Sequence, residues 1–202
     1  MARKKPALFS LNDQFTFFYE FLKHPLQIGS IISSSRFLEQ RILKTADIAT
    51  SKTIVELGCG TGGTTRAILK AMPRTARLLS VEINPHFHAL VSSRINDERF
   101  IAHLGNSCEL KKIISLYRIE DPEVIISGIP FSTMNRCTGS QLLAEISSLL
   151  APHGRFVAYQ VSKRVASLCR PFFGYERTQL ELLNIPPMFI FRWDKPAFKA
   201  IH

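Results

Sequence analysis

Apolar runs alternate with helix-like stretches from Thr53 onward, and this alternation constrains the fold more than any other feature of the chain. The runs typical of strands are TIVEL, ARLLSVE, FIAHL, EVIIS, GRFVAYQ, ERTQLELL and MFIFRW. Helical patterns separate the first five, whereas the short turn NIPP separates the last two. Strands that alternate with helices predict a parallel sheet with right-handed crossovers. The final pair predicts an antiparallel hairpin.

The predicted fold class is therefore α/β. We expect a seven-stranded, mostly parallel sheet with helices on both faces, closed by the antiparallel C-terminal hairpin. Residues 51–202 would form this domain, and residues 1–50 an N-terminal helical extension that docks on a membrane and covers the substrate.

The composition limits which binding partners and which cellular compartment are expected for this chain. The formal net charge of +10 favours an anionic partner, either nucleic acid or an acidic membrane face. The four cysteines stand far apart without a C-x-x-C pair, so we expect no metal site and no disulfide framework. We see no signal-peptide cleavage site and no run near the ~18 apolar residues of a membrane span. The chain is expected to touch a membrane without crossing it.

The N-terminal extension contains an amphipathic pattern. On a helical wheel one side is apolar: Leu8, Leu11, Phe15, Phe17, Phe18, Phe21 and Leu22. This apolar arc covers about half of the circumference, more than the ~100° stripe that faces a core. Basic residues at positions 3–5 precede it, as in interfacial helices on anionic bilayers. A helix that caps the sheet is the alternative.

The glycine-rich segment VELGCGTGG follows the first predicted strand and begins a helix. Gly58, Gly60 and Gly63 satisfy G-x-G-x-x-G, so a dinucleotide-binding fold must be considered. However, Glu56 lies two residues before the first glycine, and a carboxylate does not suit a pyrophosphate, which prefers amide N–H groups at a helix N-terminus. The pattern favours a cationic cofactor.

Glu56 followed by Gly58, Gly60 and Gly62 resembles the first motif of the class I S-adenosylmethionine-dependent methyltransferases, which have a Rossmann-like fold and a C-terminal hairpin. The resemblance implies that this loop wraps the methionine end of the cofactor. It further implies that Glu82 binds the ribose hydroxyls, that Ile83 lies against the adenine ring and that Asn106 bonds the adenine amine. The other implied cofactor contacts are Cys59, Thr61, Asn84, Ser107 and Ser127.

The fourth predicted strand leads into SGIPFSTM, which is similar to the [DNS]-x-P-[FYW] motif of amine-directed enzymes with this fold. The resemblance implies that Ile129, Pro130 and Phe131 contact the acceptor amine. Nucleic-acid adenine dimethylases carry a similar motif, so an rRNA adenine N-methyltransferase is the alternative. Asp13 and Glu20 weigh against it because they would repel RNA phosphates.

The segment FFYEFLKHPLQIGSIISSS, residues 17–35, resembles a block that precedes the cofactor fold in bacterial soluble-type phospholipid N-methyltransferases, including ornithine-lipid N-methyltransferases. Ser33 stands where relatives often have proline. The resemblance implies that Gly29, Ser33, Ser34 and Ser35 border the cofactor, and that the preceding helix covers the lipid site.

We therefore expect an N-methyltransferase that uses S-adenosylmethionine, forms S-adenosylhomocysteine and needs no metal. Its substrate would be an amino lipid, either phosphatidylethanolamine with its methylated intermediates toward phosphatidylcholine, or ornithine lipid. Tyr19, His24 and Tyr159 are candidate proton acceptors or relays. Lys23, Arg36 and Arg192 are candidates for binding the lipid phosphate. A non-catalytic module with the cofactor fold is the second alternative.

The expected partners are an anionic membrane surface and the amino lipid, with no nucleic acid. We expect a monomer in the cytoplasm, peripherally associated with the inner face of the cell membrane.

Overall fold

The computed structural model describes residues 34–119 and 121–196. Its helices are α1 (Arg36–Thr45), α2 (Gly63–Ala71), α3 (Pro85–Arg94), α4 (Leu110–Leu116), α5 (Arg136–Leu149) and α6 (Arg164–Phe173). Its strands are β1 (Thr53–Leu57), β2 (Arg77–Glu82), β3 (Phe100–Leu104), β4 (Val124–Ser127), β5 (Arg155–Gln160), β6 (Arg177–Glu181) and β7 (Met188–Asp194).

The strands form one seven-stranded sheet in the order β3-β2-β1-β4-β5-β7-β6. The strands from β1 to β5 pair in parallel, and β7 pairs antiparallel with both β5 and β6. The predicted sheet and its C-terminal hairpin are confirmed. Because β7 lies between β5 and β6, the last of the described strands is an interior strand of the sheet.

The apolar runs form the centre of the sheet, and helices cover both of its faces. Every residue of β4 is buried, as expected for a parallel strand covered on both sides. The buried rings of Phe156, Phe191 and Trp193 stack beside one another on β5 and β7, with centroids 5.3 to 5.8 Å apart. This aromatic cluster attaches the hairpin to the parallel part of the sheet.

Two helices add to the sequence-based picture. The sequence pattern does not predict α6, because Pro171 lies inside it and proline disfavours helix interiors. The helix α1 is capped by Ser35 and buries Leu38 and Ile42. It belongs to the same compact unit as the sheet, Ser33–His202. The predicted amphipathic helix lies outside the described residues, and the boundary at residue 50 stays a prediction.

None of the helices in the described parts of the chain is both long enough and apolar enough to span a bilayer.

Candidate active site

The candidate site lies at the sheet edge where the parallel strands end. Register places Leu57 beside Val81 and Ser127, and Glu82 beside Leu104. In open α/β sheets, ligands bind at this carboxyl edge. They bind at the point where successive strands are added to opposite sides of the first strand. Here β1 lies between β2 and β4, so the reversal occurs at the glycine loop.

The glycine loop turns the chain sharply from β1 into α2. Gly58, Gly60 and Gly62 have φ values of 79°, 51° and 79°, in the left-handed region that favours glycine. The Gly58 N–H donates to the Val81 carbonyl at 2.9 Å, which fixes the start of the loop on β2. Gly62 caps α2 without a side-chain hydrogen bond, so the backbone N–H groups of the first turn point toward the loop.

The space above this loop is open. A Cβ atom built on Gly60 would meet no heavy atom within 4 Å, whereas one on Gly58 would lie 3.4 Å from the Ile129 side chain. At Gly60 the backbone of the loop is therefore accessible, whereas at Gly58 the loop packs against Ile129, which follows β4. This geometry fits the predicted cofactor, whose methionine end would approach the loop closely.

Glu82 ends β2 and faces the glycine loop. Its carboxylate accepts the Gly60 N–H at 3.0 Å and the Asn84 N–H at 2.9 Å. The side chain is buried, with Glu82 6% exposed, and the Cys59 thiol lies 3.8 Å from the same carboxylate. The strand end and the loop are therefore joined by the residue that the sequence predicts for ribose binding.

The residues after Glu82 and after β3 also reach this edge. Ile83 is 67% exposed, as an apolar surface for an adenine ring would be. Asn84 caps α3 through bonds to the N–H groups of His86 and Phe87. Asn106 caps a short 3-10 turn, because its side-chain oxygen accepts the Cys108 N–H at 3.0 Å.

Ser107 and Thr61 are two further residues that the sequence predicts to contact the cofactor. Ser107 follows Asn106 and is 8% exposed. The Thr61 carbonyl of the loop accepts from the guanidinium of Arg66 at 3.4 Å.

Glu56 lies beneath the loop and is completely buried. Its Oε2 accepts the hydroxyls of Thr65, at 2.7 Å, and Ser80, at 3.0 Å, while Oε1 has no hydrogen-bond partner. Burial raises the pKa of Glu56 to about 7; the two hydroxyl bonds lower the pKa, and the neighbouring charge of Glu82 raises it further. Sequence reasoning found Glu56 but missed Thr65 and Ser80, since their neutral hydroxyls come from two separate elements.

The β4–α5 loop is fixed on both sides. The Ser127 hydroxyl accepts the Ile129 N–H at 3.2 Å, and the Gln160 side-chain amide donates to the Ile129 carbonyl at 2.5 Å. Gln160 is 5% exposed and ends β5. Sequence reasoning missed this residue, although a polar side chain at the end of the apolar run RFVAYQ was the available signal.

Tyr159 is half-buried and lies against the β4–α5 loop. Its hydroxyl lies so close to Gly128 that a Cβ atom there would clash with it. Burial raises the pKa of Tyr159, and the nearby Glu56 carboxylate raises it further. The phenol therefore keeps its proton at neutral pH. It can donate a hydrogen bond, and its role as proton acceptor or relay stays a prediction.

Two other predicted residues lie elsewhere than the sequence reasoning placed them. Phe131 is 1% exposed and packs edge-on against Phe156 in the core, so its ring offers no face to a substrate amine. The Arg192 guanidinium donates hydrogen bonds to the carboxylates of Asp194 and Asp47, at 2.7 Å each, and to the Thr45 carbonyl. It pairs with Val157, three residues before the end of β5, and points away from the site.

Of the block implied by the second resemblance, Ser34 and Ser35 are described. Ser35 caps α1, and its N–H donates to the Asn184 side chain of the β6–β7 loop at 2.9 Å. Pro130 is half-buried in the β4–α5 loop, beside Ile129. Tyr19, His24, Gly29 and Ser33 lie outside the described residues. Residues 34–119 and 121–196 contain no group of three or more His, Cys, Asp or Glu side chains that could hold a metal ion.

Solved structures with the same fold include several methyltransferases. The N-methyltransferase NodS of Bradyrhizobium japonicum, in complex with S-adenosylhomocysteine, superposes with a TM-score of 0.60 at 12% identity, over 90% of this chain and 98% of NodS. An S-adenosylmethionine-dependent O-methyltransferase of Thermotoga maritima superposes with a TM-score of 0.63 at 11% identity, over 90% of this chain and 73% of the enzyme. The chain has the class I methyltransferase fold.

A sequence relative extends the comparison. The ornithine lipid N-methyltransferase of Singulisphaera acidiphila is 28% identical over 179 residues, which cover 88% of this chain and 93% of that enzyme. No family model matches the chain. The predicted resemblance to class I and ornithine-lipid methyltransferases is confirmed, and with it the prediction of an enzyme that uses S-adenosylmethionine.

Proposed function

We propose that this methyltransferase transfers methyl groups to the amine headgroup of a membrane lipid, with ornithine lipid as the first substrate to test. The observation that carries the proposal is the similarity to an ornithine lipid N-methyltransferase along nearly the whole of both chains. Phosphatidylethanolamine and its methylated intermediates are the second candidates, because they present the same primary or methylated amine on a lipid.

The cofactor supplies an activated methyl group on a sulfonium. In the proposal, the bare backbone of Gly58, Gly60 and Gly62 receives its methionine end. The Glu82 carboxylate, which accepts the Gly60 N–H, would also hold the ribose hydroxyls, and Ile83 would pack against the adenine. These residues act by binding and orientation, which is what transfer from an activated donor chiefly requires.

The acceptor amine would enter beside the β4–α5 loop. Gln160 and Ser127 form hydrogen bonds to the backbone of Ile129 and so restrain the loop beside which the substrate would bind. Gly128 lets the Tyr159 hydroxyl approach the same loop, where it can donate a hydrogen bond. Tyr19, His24 and Tyr159 are the candidate proton acceptors or relays. A neutral histidine is suited to that task near pH 7.

The proposal places the enzyme in the cytoplasm, at the inner face of the cell membrane, because its substrate is part of the bilayer and its cofactor is dissolved in the cytosol. The net charge of +10 supports binding to an anionic leaflet.

A labelled-methyl assay tests the proposal directly. Purified protein is incubated with S-adenosylmethionine carrying a labelled methyl group and, separately, with micellar ornithine lipid, micellar phosphatidylethanolamine and ribosomal RNA. We expect labelled lipid and no labelled RNA. Glu82→Ala serves as the control for cofactor-dependent transfer. Label in RNA with none in either lipid would overturn the proposal in favour of the rRNA enzyme.

A further inference from the structure

The loop between β6 and β7 is built with its polar residues inside and its apolar residues outside. We name residues 182–187 the hairpin tip. Leu182, Leu183 and Ile185 are 67%, 63% and 77% exposed, whereas Asn184 between them is 6% exposed. Soluble surfaces carry single exposed apolar side chains, whereas three large aliphatic residues at one loop end form a patch of the kind that marks an interaction surface.

The hairpin tip is held in this conformation by its buried polar groups. The Asn184 side chain accepts the Ser35 N–H at 2.9 Å and donates to the Pro186 carbonyl at 2.8 Å. Glu181, 3% exposed, accepts the Leu183 N–H at 2.8 Å and the Arg41 guanidinium at 2.6 Å. The aliphatic side chains are therefore presented on a fixed backbone, with little conformational entropy to lose on insertion.

The hairpin tip lies at the same edge of the sheet as the candidate site. Phe189, at the start of β7, pairs with Gln160 at the end of β5, so the loop that precedes β7 projects from the carboxyl edge. Gln160 itself holds the Ile129 carbonyl beside the glycine loop. A surface that meets the hairpin tip would therefore also face the site.

Cationic side chains surround this edge. Arg36 is exposed and follows Ser35, which bonds to the hairpin tip. Lys163 is exposed, with its ammonium 5.0 Å from the centre of the Phe189 ring. Arg164 is exposed and reaches the Ser132 carbonyl in the β4–α5 loop. Apolar side chains bordered by cations match an anionic lipid surface, where aliphatic groups enter the acyl region and cations remain among the headgroups.

We propose that the hairpin tip inserts Leu182, Leu183 and Ile185 into an anionic membrane, so that the cofactor edge faces the bilayer. The proposal rests on the proposed function, since a lipid substrate is what makes this orientation useful. It assigns a second membrane contact, separate from the N-terminal extension that the sequence analysis predicts for docking. A second copy of the chain is the competing occupant of the patch.

The first test compares matched variants of the full chain by sedimentation with vesicles of phosphatidylglycerol and phosphatidylcholine. We expect the triple variant Leu182→Ser, Leu183→Ser, Ile185→Ser to bind at least about tenfold more weakly, because three aliphatic side chains lose their apolar burial. Leu183→Ser alone is expected to weaken binding, whereas Leu116→Ser, at a residue 66% exposed on α4, is expected to leave it unchanged. Affinity for S-adenosylhomocysteine reports whether each variant is folded.

A second measurement detects insertion without removing the apolar patch. Leu183→Trp is expected to be quenched by vesicles of brominated phosphatidylcholine mixed with phosphatidylglycerol, and Leu116→Trp is not. Trp193 is buried in both variants and gives a constant background.

Several results would overturn the inference. These are wild-type vesicle binding by the triple variant, equal weakening by Leu116→Ser, or equal quenching of the two tryptophans. A concentration-dependent dimer in light scattering that the triple variant abolishes, with vesicle binding intact, would assign the patch to a second copy. Failure of the proposed function is distinguishable, because it appears as no methylation of micellar lipid by the wild-type protein.

Discussion

At the scale of single residues, the Glu82 carboxylate joins the end of β2 to the glycine loop through the N–H groups of Gly60 and Asn84. We expect Glu82→Ala to weaken binding of S-adenosylhomocysteine by about 1.5–3 kcal/mol, the contribution of a hydrogen bond to a charged group. Titration calorimetry measures it, with the exposed Glu98→Ala as the control. Unchanged affinity for Glu82→Ala would show that the ribose is bound elsewhere.

The pKa of Glu56 gives a prediction for stability as a function of pH. Its pKa of about 7 in the folded protein lies above the ordinary value of 4.5 for a glutamate, so the folded state binds more protons between these two pH values. Stability attributable to Glu56 is therefore greatest below pH ~4.5 and falls as the pH rises toward 7, by up to ~3 kcal/mol.

Glu56→Gln removes this titration and is expected to flatten the dependence of the melting temperature on pH in that window. Thermal unfolding followed by circular dichroism measures the effect, with Glu98→Gln, an exposed carboxyl, as the control. If the two variants show the same pH profile as the wild type, Glu56 is ionised in the folded protein at pH 5.

At the scale of elements, two glycines near the acceptor loop differ in what a side chain would meet. A Cβ atom on Gly128 would clash with Tyr159, whereas one on Gly139 in α5 would find its nearest neighbour, Phe131, at 4.0 Å. We expect Gly128→Ala to destabilise the fold by about 1–3 kcal/mol through overpacking. Gly139→Ala should stabilise it by about 0.5–1 kcal/mol, because alanine favours helices. Denaturant unfolding compares them, and destabilisation by Gly139→Ala would contradict this account.

The same elements indicate how far the sequence could predict the fold and the site. The seven strands and the cofactor loops follow from apolar periodicity and from glycine spacing, because these patterns are local. The environments of Phe131, Arg192 and Tyr159 are set by contacts with distant segments, such as the pairing of Arg192 with Asp47. A local motif identifies that Phe131 belongs to the acceptor loop, but it does not determine which way the ring turns.

Gln160 is a site residue that the sequence pattern does not reveal. Its role is visible only once β5 lies beside β4 and the Ile129 carbonyl comes within reach. The arrangement of the hairpin tip, with Asn184 buried and its aliphatic residues exposed, also depends on tertiary contacts. The sequence LLNIPP alone is typical of an ordinary turn.

At the scale of the whole molecule, the excess of positive charge predicts how salt affects membrane binding. The formal net charge is +10, and exposed cations lie at the edge that carries the site. We expect vesicles rich in phosphatidylglycerol to lose at least about tenfold in affinity between about 0.05 M and about 0.5 M NaCl, because screening shortens the reach of the surface potential. Sedimentation measures this, and pure phosphatidylcholine vesicles are the control. Equal affinity at both salt concentrations would show that apolar contact alone accounts for binding.

The position of β7 has a consequence for synthesis of the chain on the ribosome. Between β5 and β6 the sheet leaves a place that β7, made after both, must fill. Until Met188–Asp194 has emerged, one edge of β5 has no partner and β6 has no neighbour in the sheet. An open edge beside buried aromatic residues invites pairing with other chains. We therefore expect the nascent protein to be most prone to aggregation in the interval before β7 is made.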